Sequence, residues 1–188
     1  YCPPLAEGAP GMTTSGMLTL AQVNAMPDAA FVEAFGSVYE HSPWVAAQAA
    51  KSRPFADLGG MCAAFSTAMR AAPEAAQYAL VRAHPELGHR LGVDPGLTAD
   101  SAQEQGGAGL DRLTPEEYTH FRALNDAYTH KFGMPFVICV RKVGGHAKQV
   151  IAQAMEQRLA STPQAELAEA LSQIDAIASL RLHDKVVA

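Results

Sequence analysis

The sequence predicts an all-α fold, a single-domain bundle of about eight helices with an irregular central segment. Three observations carry that prediction. The 188 residues include 36 alanines, and alanine has the highest intrinsic helix propensity. Apolar residues recur at three- and four-residue spacing rather than alternating, which is the period of a helix with one buried face. Ser, Thr, Asp and Pro punctuate the chain ahead of these stripes, where their oxygens can accept orphan amide hydrogens and Pro fits the first turn.

Taken in order, Asp28 is placed to cap a stripe of Phe31, Val32, Phe35, Val38 and Tyr39, and Ser42-Pro43 to start a helix through Trp44 and Val45. Asp57 precedes Leu58, Met61, Cys62, Phe65 and Met69, and Pro73 opens a helix ending near Ala83. Four short helices therefore precede His84. From His84 to Gly109, six glycines and two prolines interrupt any long helix, so this is the irregular centre of the chain. Thr114-Pro115-Glu116-Glu117 has an N-cap, a first-turn Pro and an acidic third helical residue, and Gly133 is a stop for the helix it starts. A further helix spans about His146 to Leu159, and Thr162-Pro163 opens a last one reaching past Leu180. Met134 to Val140 is the one run that could be a strand. It has no partner, so it reads as a buried extended turn or short helix.

Composition excludes several classes of function. With 14 basic against 19 acidic residues and a net charge of -5, the chain lacks the basic footprint that phosphate backbones select, and nucleic acid is not an expected partner. The longest apolar stretch, Met134 to Val140, is far short of the ~20 residues a spanning helix needs, so a soluble protein is expected. Cys2, Cys62 and Cys139 stand far apart with no CxxC pair, which suggests neither a disulfide framework nor a zinc site. At this length a chain buries roughly 70% of its unfolded surface, enough for a core without staples. Residues 1–17, which open on Tyr1 and lack a signal-peptide pattern, read as a disordered tail or remnant. Residues 18–188 read as the working domain. The C-terminal Asp184-Lys185-Val186-Val187-Ala188 carries no Ser-Lys-Leu address, and the cytoplasm is the expected location.

Among seven histidines, His84 stands out because it ends a helical pattern directly before Pro85, in a position biased away from the αR conformation. An imidazole there can face a cleft and exchange a proton near neutrality; a structural His at a helix end explains the same local pattern. Ser101-Ala102-Gln103-Glu104 has the spacing of a capping box. The functional alternative has Glu104 turned away from its helix end and working with His84, beside Gln105 as an amide donor and acceptor. His84, Glu86 and His89 do not share one helical face and make a poor metal set. Cys139 lies in an apolar run, where a thiol is usually inert.

His84-Pro85-Glu86-Leu87, Ser101 to Gln105 with Ala108-Gly109-Leu110, Leu124-Asn125 with Tyr128, and Phe132 to Cys139 occur in an order and spacing that resemble the 2-oxo-4-hydroxy-4-carboxy-5-ureidoimidazoline (OHCU) decarboxylases. Phe35-Gly36, Tyr39-Glu40, Ser42-Pro43-Trp44 and Leu180-Arg181-Leu182 support the resemblance, which covers roughly residues 18 to 187. Gly106-Gly107 and Gly144-Gly145 depart from the pattern without removing a matched position.

The resemblance implies a lyase that converts this ureidoimidazoline to (S)-allantoin and carbon dioxide in urate degradation, commonly as a homodimer, with no cofactor and no metal. The small-molecule substrate carries its own electron sink, a ring C=N bond beside the carbon that loses carbon dioxide, and so needs no borrowed one. By motif match His84 and Glu104 are the catalytic acid/base residues, their order left open. Arg181 is the cation for a substrate carboxylate or carbonyl, although a helix-end cation would explain it too. Pro85, Ser101, Gln105, Phe136 and Ile138 are the expected substrate contacts. A non-catalytic helical interaction protein and a hydrolase of a related ureido compound are the alternatives.

Overall fold

The computed structural model describes residues 16–92 and 94–187. Most of the expected tail, residues 1–15, lies outside the described residues. Over the described residues the chain forms nine α-helices: α1 Leu20–Ala25, α2 Asp28–Phe35, α3 Pro43–Ala49, α4 Leu58–Arg70, α5 Glu74–Arg82, α6 Ala99–Gly107, α7 Pro115–Phe132, α8 Ala147–Arg158 and α9 Pro163–Lys185. Single 3-10 turns follow α3 at Ala50–Ser52 and precede α8 at Val140–Lys142.

Several of these boundaries follow from local chemistry. Asp57 caps α4 by accepting from the Gly60 amide at 2.6 Å. Thr114 and Glu117 form a reciprocal capping box at the start of α7, with Pro115 in its first turn. Gly133 ends α7 at φ 67, in the left-handed region that glycine enters without a Cβ penalty. Thr162 caps α9 by accepting from the Ala165 amide at 3.3 Å, with Pro163 in the first turn.

Other boundaries differ from the sequence expectation. Five α-helices rather than four precede His84, because Thr19 and Gln22 make a second capping box that starts α1. Asp28 is the first residue of α2 rather than its cap, a place held by Pro27. α3 does start at Pro43 after Ser42, as expected, but the Ser42 hydroxyl donates to the Glu40 carbonyl at 3.0 Å instead of accepting from a helix amide. Met134 to Cys139 is extended and unpaired, as expected, and runs into the 3-10 turn. One feature was not expected: Leu18–Thr19 and Val186–Val187 form a two-residue parallel pair, β1 and β2, that ties together the two ends of the described chain.

α9 is the axis of the bundle and meets α4, α5 and α7. Its buried residues, Glu166, Leu167, Ala170, Leu171, Ile174, Ile177, Ala178, Arg181 and Leu182, recur at the three-four spacing of one helical face. Arg181 is the one basic residue on that face. The rings of Phe31, Phe35, Phe55, Phe65 and Tyr39 cluster with neighbouring centroids 4.9 to 6.1 Å apart. That aromatic cluster anchors α2, and with it the α2–α3 connection, against α4.

Candidate active site

Four segments converge on one cavity beside α9. The C-terminal end of α5 leads into His84 and Pro85; α6 contributes Ser101, Glu104 and Gln105; the extended run contributes Phe136, Val137 and Ile138; and α9 contributes Ile177 and Arg181. Positions 101, 104 and 105 fall together because residues three and four apart share a helical face. All eight residues singled out in the sequence, His84, Pro85, Ser101, Glu104, Gln105, Phe136, Ile138 and Arg181, line this cavity.

The cavity itself is small, about 30 Å³, which is room for little more than a water. It adjoins a larger groove of about 790 Å³ through shared walls at Glu104, Val140 and Arg181. Arg141 and Asp184, ion-paired at 2.6 Å, and Lys185 line the outer groove. A ligand of a dozen or more heavy atoms must therefore extend past the Glu104–Arg181 pair toward the groove.

His84 is 8% exposed. Its Nδ1 lies 3.0 Å from the Leu80 carbonyl oxygen. A carbonyl only accepts, so Nδ1 carries the hydrogen and Nε2 is left as the free acceptor. Burial pushes the imidazole down to about 4, against the opposing pull of the Leu80 carbonyl and the Glu40 charge. The ring is neutral at pH 7 and suited to take a proton rather than give one.

Arg181 is 3% exposed, and each of its five N–H groups has an acceptor. Nε and Nη2 donate to the two oxygens of Glu104 at 3.0 and 2.9 Å, and Nη2 also donates to Ser101 Oγ at 3.2 Å. Nη1 donates to Glu40 Oε2 at 3.0 Å and to the Val38 carbonyl at 3.3 Å. The helix-end reading of Arg181 fails, because the side chain turns inward into a buried ion cluster. The capping-box reading of Ser101 and Glu104 fails as well: Thr98 is the cap of α6, accepting from the Ser101 amide at 3.3 Å. Ser101 and Glu104 sit inside the helix and face Arg181 instead.

Gln105 has a second task. Its amide accepts from the Gly88 amide and donates to the Glu86 carbonyl, each at 3.4 Å, which holds the turn after His84 onto α6. Asn125 on α7 holds the same turn by donating to the Leu87 carbonyl at 2.9 Å. Glu86, assigned no chemistry, pairs with Arg122 at 2.8 Å. Among the described residues no three His, Cys, Asp or Glu side chains converge as a metal set would.

The family model described as OHCU decarboxylase matches residues 24–183. The chain belongs to the OHCU decarboxylase family. It is 42% identical over 168 residues to the 2-oxo-4-hydroxy-4-carboxy-5-ureidoimidazoline decarboxylase of Haloferax volcanii, covering 89% of this chain and 96% of that one. A crystal structure of (S)-allantoin synthase superposes with a TM-score of 0.70 at 26% identity, over 90% of this chain and 54% of that chain. A crystal structure of OHCU decarboxylase in the presence of (S)-allantoin shares the fold, with a TM-score of 0.61 at 20% identity over 84% of this chain and 96% of that one.

In this OHCU decarboxylase family member, sequence reasoning missed two supports of the site. Glu40, 1% exposed, accepts from Thr98, Ser101 and Arg181. Its signal was the Tyr39-Glu40 match, directly after the buried stripe that ends at Val38 and Tyr39, to which no role in the site was attached. The second support is Arg158 on α8, which lies over the Phe136 ring at 4.4 Å and donates to the Val137 carbonyl at 2.8 Å. Arg158 is in turn held by Glu166 at 2.9 Å. Nothing in the local sequence around Arg158 distinguishes it from a surface helix cation.

Proposed function

We propose that this protein decarboxylates 2-oxo-4-hydroxy-4-carboxy-5-ureidoimidazoline to (S)-allantoin and carbon dioxide in urate degradation, with no cofactor. The observation that carries the reading is the meeting of His84, Glu104 and Arg181 on one cavity in a chain of this family.

The chemistry fits what those groups can do. Cleavage of the bond to the carboxylate releases carbon dioxide and leaves an electron pair that moves into the ring, where the C=N nitrogen takes a proton. The neighbouring hydroxyl then loses its proton as it becomes a carbonyl, and the ring carbon bearing the ureido group gains one. The net change is uptake of one proton by the substrate anion. His84, with Nε2 unprotonated, is the acceptor for the hydroxyl proton. Glu104 is the second proton-transfer group. A proton delivered from one side of a fixed ring yields one enantiomer.

Arg181 has no spare N–H, so it meets a substrate oxygen only by exchanging one of its present acceptors. Glu104 is the acceptor on the cavity side. Pro85, Ser101, Gln105, Phe136 and Ile138 shape the wall around the ring. The family resemblance supports a homodimer, to be read by light scattering, and supports residues 18–188 as the catalytic domain. The free thiols of Cys62 and Cys139 support a reducing location such as the cytoplasm.

The test is direct. The protein is mixed with substrate freshly made by urate oxidation and ring hydrolysis, while carbon dioxide and optical activity are followed. Accelerated formation of optically active allantoin is expected. Racemic product at the spontaneous rate returns the chain to the reading of a helical interaction protein, and ureido hydrolysis without carbon dioxide to that of a hydrolase.

A further inference from the structure

Arg181 lies between two carboxylates of different situation. Glu104 lines the cavity, whereas Glu40 stands behind its wall, on the connection between α2 and α3. Glu40 Oε1 accepts from Thr98 Oγ1 at 2.7 Å, and Oε2 accepts from Ser101 Oγ and Arg181 Nη1 at 3.0 Å each. Thr98 is also the residue that caps α6. One buried carboxylate therefore joins the first turn of α6, which carries Ser101, Glu104 and Gln105, to the buried face of α9.

The backbone around Glu40 is built to hold it there. His41, the next residue, is in the left-handed region at φ 47, a conformation unfavourable for a side chain with a Cβ. The Ser42 hydroxyl then bonds back to the Glu40 carbonyl at 3.0 Å. Burial works against the Glu40 charge, yet the donors from Thr98, Arg181 and Ser101 outweigh it and hold the carboxyl below its usual range. A buried guanidinium stripped of all counter-charge is strongly unfavourable. When Glu104 exchanges Arg181 for a substrate oxygen or a proton, Glu40 is the charge that stays.

We propose that Glu40 is a positioning residue: it fixes Arg181 and the start of α6 from behind, so that Glu104 and Ser101 keep one arrangement toward the cavity while Glu40 itself never meets substrate. The inference rests on the decarboxylase reading of this site.

The experiment compares Glu40→Gln and Glu40→Asp with the wild-type chain and with Tyr39→Phe. Tyr39→Phe is the stability control, because it removes from the residue next to Glu40 a partly buried hydrogen bond to Asp175 at 2.8 Å without touching the cavity. Rates are scaled to the folded fraction and corrected for spontaneous decay. Glu40→Gln is expected to lower kcat about 10- to 100-fold with KM within about threefold, and to reduce the enantiomeric excess of the allantoin. Glu40→Asp, which keeps the charge, is expected to recover part of both. Tyr39→Phe is expected to lower the melting temperature and leave kcat and optical purity unchanged. In a Glu104→Gln background, Glu40→Gln should add little to the loss of turnover per folded molecule, while the melting temperature falls steeply because Arg181 then has no counter-charge.

Wild-type kcat and optical purity in folded Glu40→Gln overturn the inference, as does a loss that simply adds to that of Glu104→Gln. Should Glu40→Gln fail to fold, Glu40→Asp decides, since wild-type turnover and optical purity in that variant overturn it equally. A wild-type chain that forms no optically active allantoin overturns the decarboxylase reading and this inference together. An active wild type with unaffected Glu40 variants overturns this inference alone.

Discussion

Arg181 grips Glu104 through two parallel hydrogen bonds, Nε to Oε1 at 3.0 Å and Nη2 to Oε2 at 2.9 Å, across 77 residues of sequence. This fork-to-fork contact is the strongest geometry available to the pair. It places the Glu104 carboxylate on the cavity wall and fills the edge of the guanidinium that an incoming anion would seek. Under the proposed function, a substrate oxygen reaches Arg181 only as Glu104 gives up its place, because the two would compete for the same donors.

Removal of either residue proposed to transfer a proton should cost turnover rather than fold. His84→Ala and Glu104→Gln are each expected to lower kcat by about 10²- to 10⁴-fold, the usual contribution of a general acid or base. Far-UV circular dichroism should remain that of the wild type. Ordinary turnover in both variants, assayed on freshly generated substrate with optical detection, would remove these two residues from the mechanism.

The pH dependence of turnover carries a signature of the buried ring. If His84 accepts a proton, kcat/KM falls on the acid side at the pKa of the free enzyme. Burial pushes that value down to about 4, so activity should persist well below the ordinary titration of histidine near ~6.5. An acid limb centred near 6.5 would mean that the ring is solvated in the working enzyme.

Arg181→Lys is expected to be a poor replacement despite keeping the charge. Lysine brings three donors to a place where five acceptors converge, so at least two buried acceptors lose their partners. At about 1 kcal/mol for each unsatisfied group, a loss of about 2 kcal/mol in unfolding free energy should appear in urea titrations. Turnover should fall further than the folded fraction does, because a single ammonium cannot hold Glu104 by both oxygens. An unchanged denaturation midpoint would contradict the buried cluster.

These consequences could not have been read from the sequence, although the members of the site could. His84-Pro85, Ser101 to Gln105 and Phe136 to Ile138 were legible as motifs, and the helices were legible wherever a cap was local, as at Asp57, Thr114 and Thr162. Ser101-Ala102-Gln103-Glu104 misled because its capping-box spacing is real, while the partners that win, Glu40 and Arg181, lie 61 residues before Ser101 and 80 after it. Thr19-Leu20-Ala21-Gln22 has the same kind of spacing and does form the box. Local pattern alone does not separate the two cases. Glu40, named only within the Tyr39-Glu40 match, was given no role in the site for the same physical reason: its partners are all brought by tertiary packing.

Stability should depend on acidity in a direction set by the same ring. The folded-state pKa of His84 is lowered to about 4, so between that value and about 6.5 the unfolded chain binds more protons than the folded one. Unfolding free energy then rises with pH through this window. Read downward, stability is fully present above about pH 6.5 and is lost toward pH 4, by about 3 kcal/mol for this group. Glu40, its carboxyl held low by Thr98, Arg181 and Ser101 against its burial, adds a further loss once the pH falls through its own folded value. His84→Gln, which cannot titrate, should flatten the upper part of the curve. Denaturation midpoints measured from pH 7 to pH 4 in both proteins would show it, and equal slopes would rule out the buried neutral imidazole.

The wall opposite Glu104 offers a last test, because it depends on a cation remote from the cavity. Arg158 lies over the Phe136 ring at 4.4 Å, donates to the Val137 carbonyl at 2.8 Å and pairs with Glu166 at 2.9 Å. Glu166 is 2% exposed and also accepts from the Tyr128 hydroxyl, whose titration burial and that bond push upward. Arg158→Ala leaves the Glu166 carboxylate buried without its counter-charge, a change that costs about 3 kcal/mol or more. It also releases Phe136 and Val137, which face the same space as His84. The variant should therefore show a raised KM in whatever fraction stays folded. Arg158→Ala combined with Glu166→Gln should regain stability, since no bare charge remains, yet keep the raised KM, because the wall is still unsupported. Recovery of both together would assign Arg158 to stability alone.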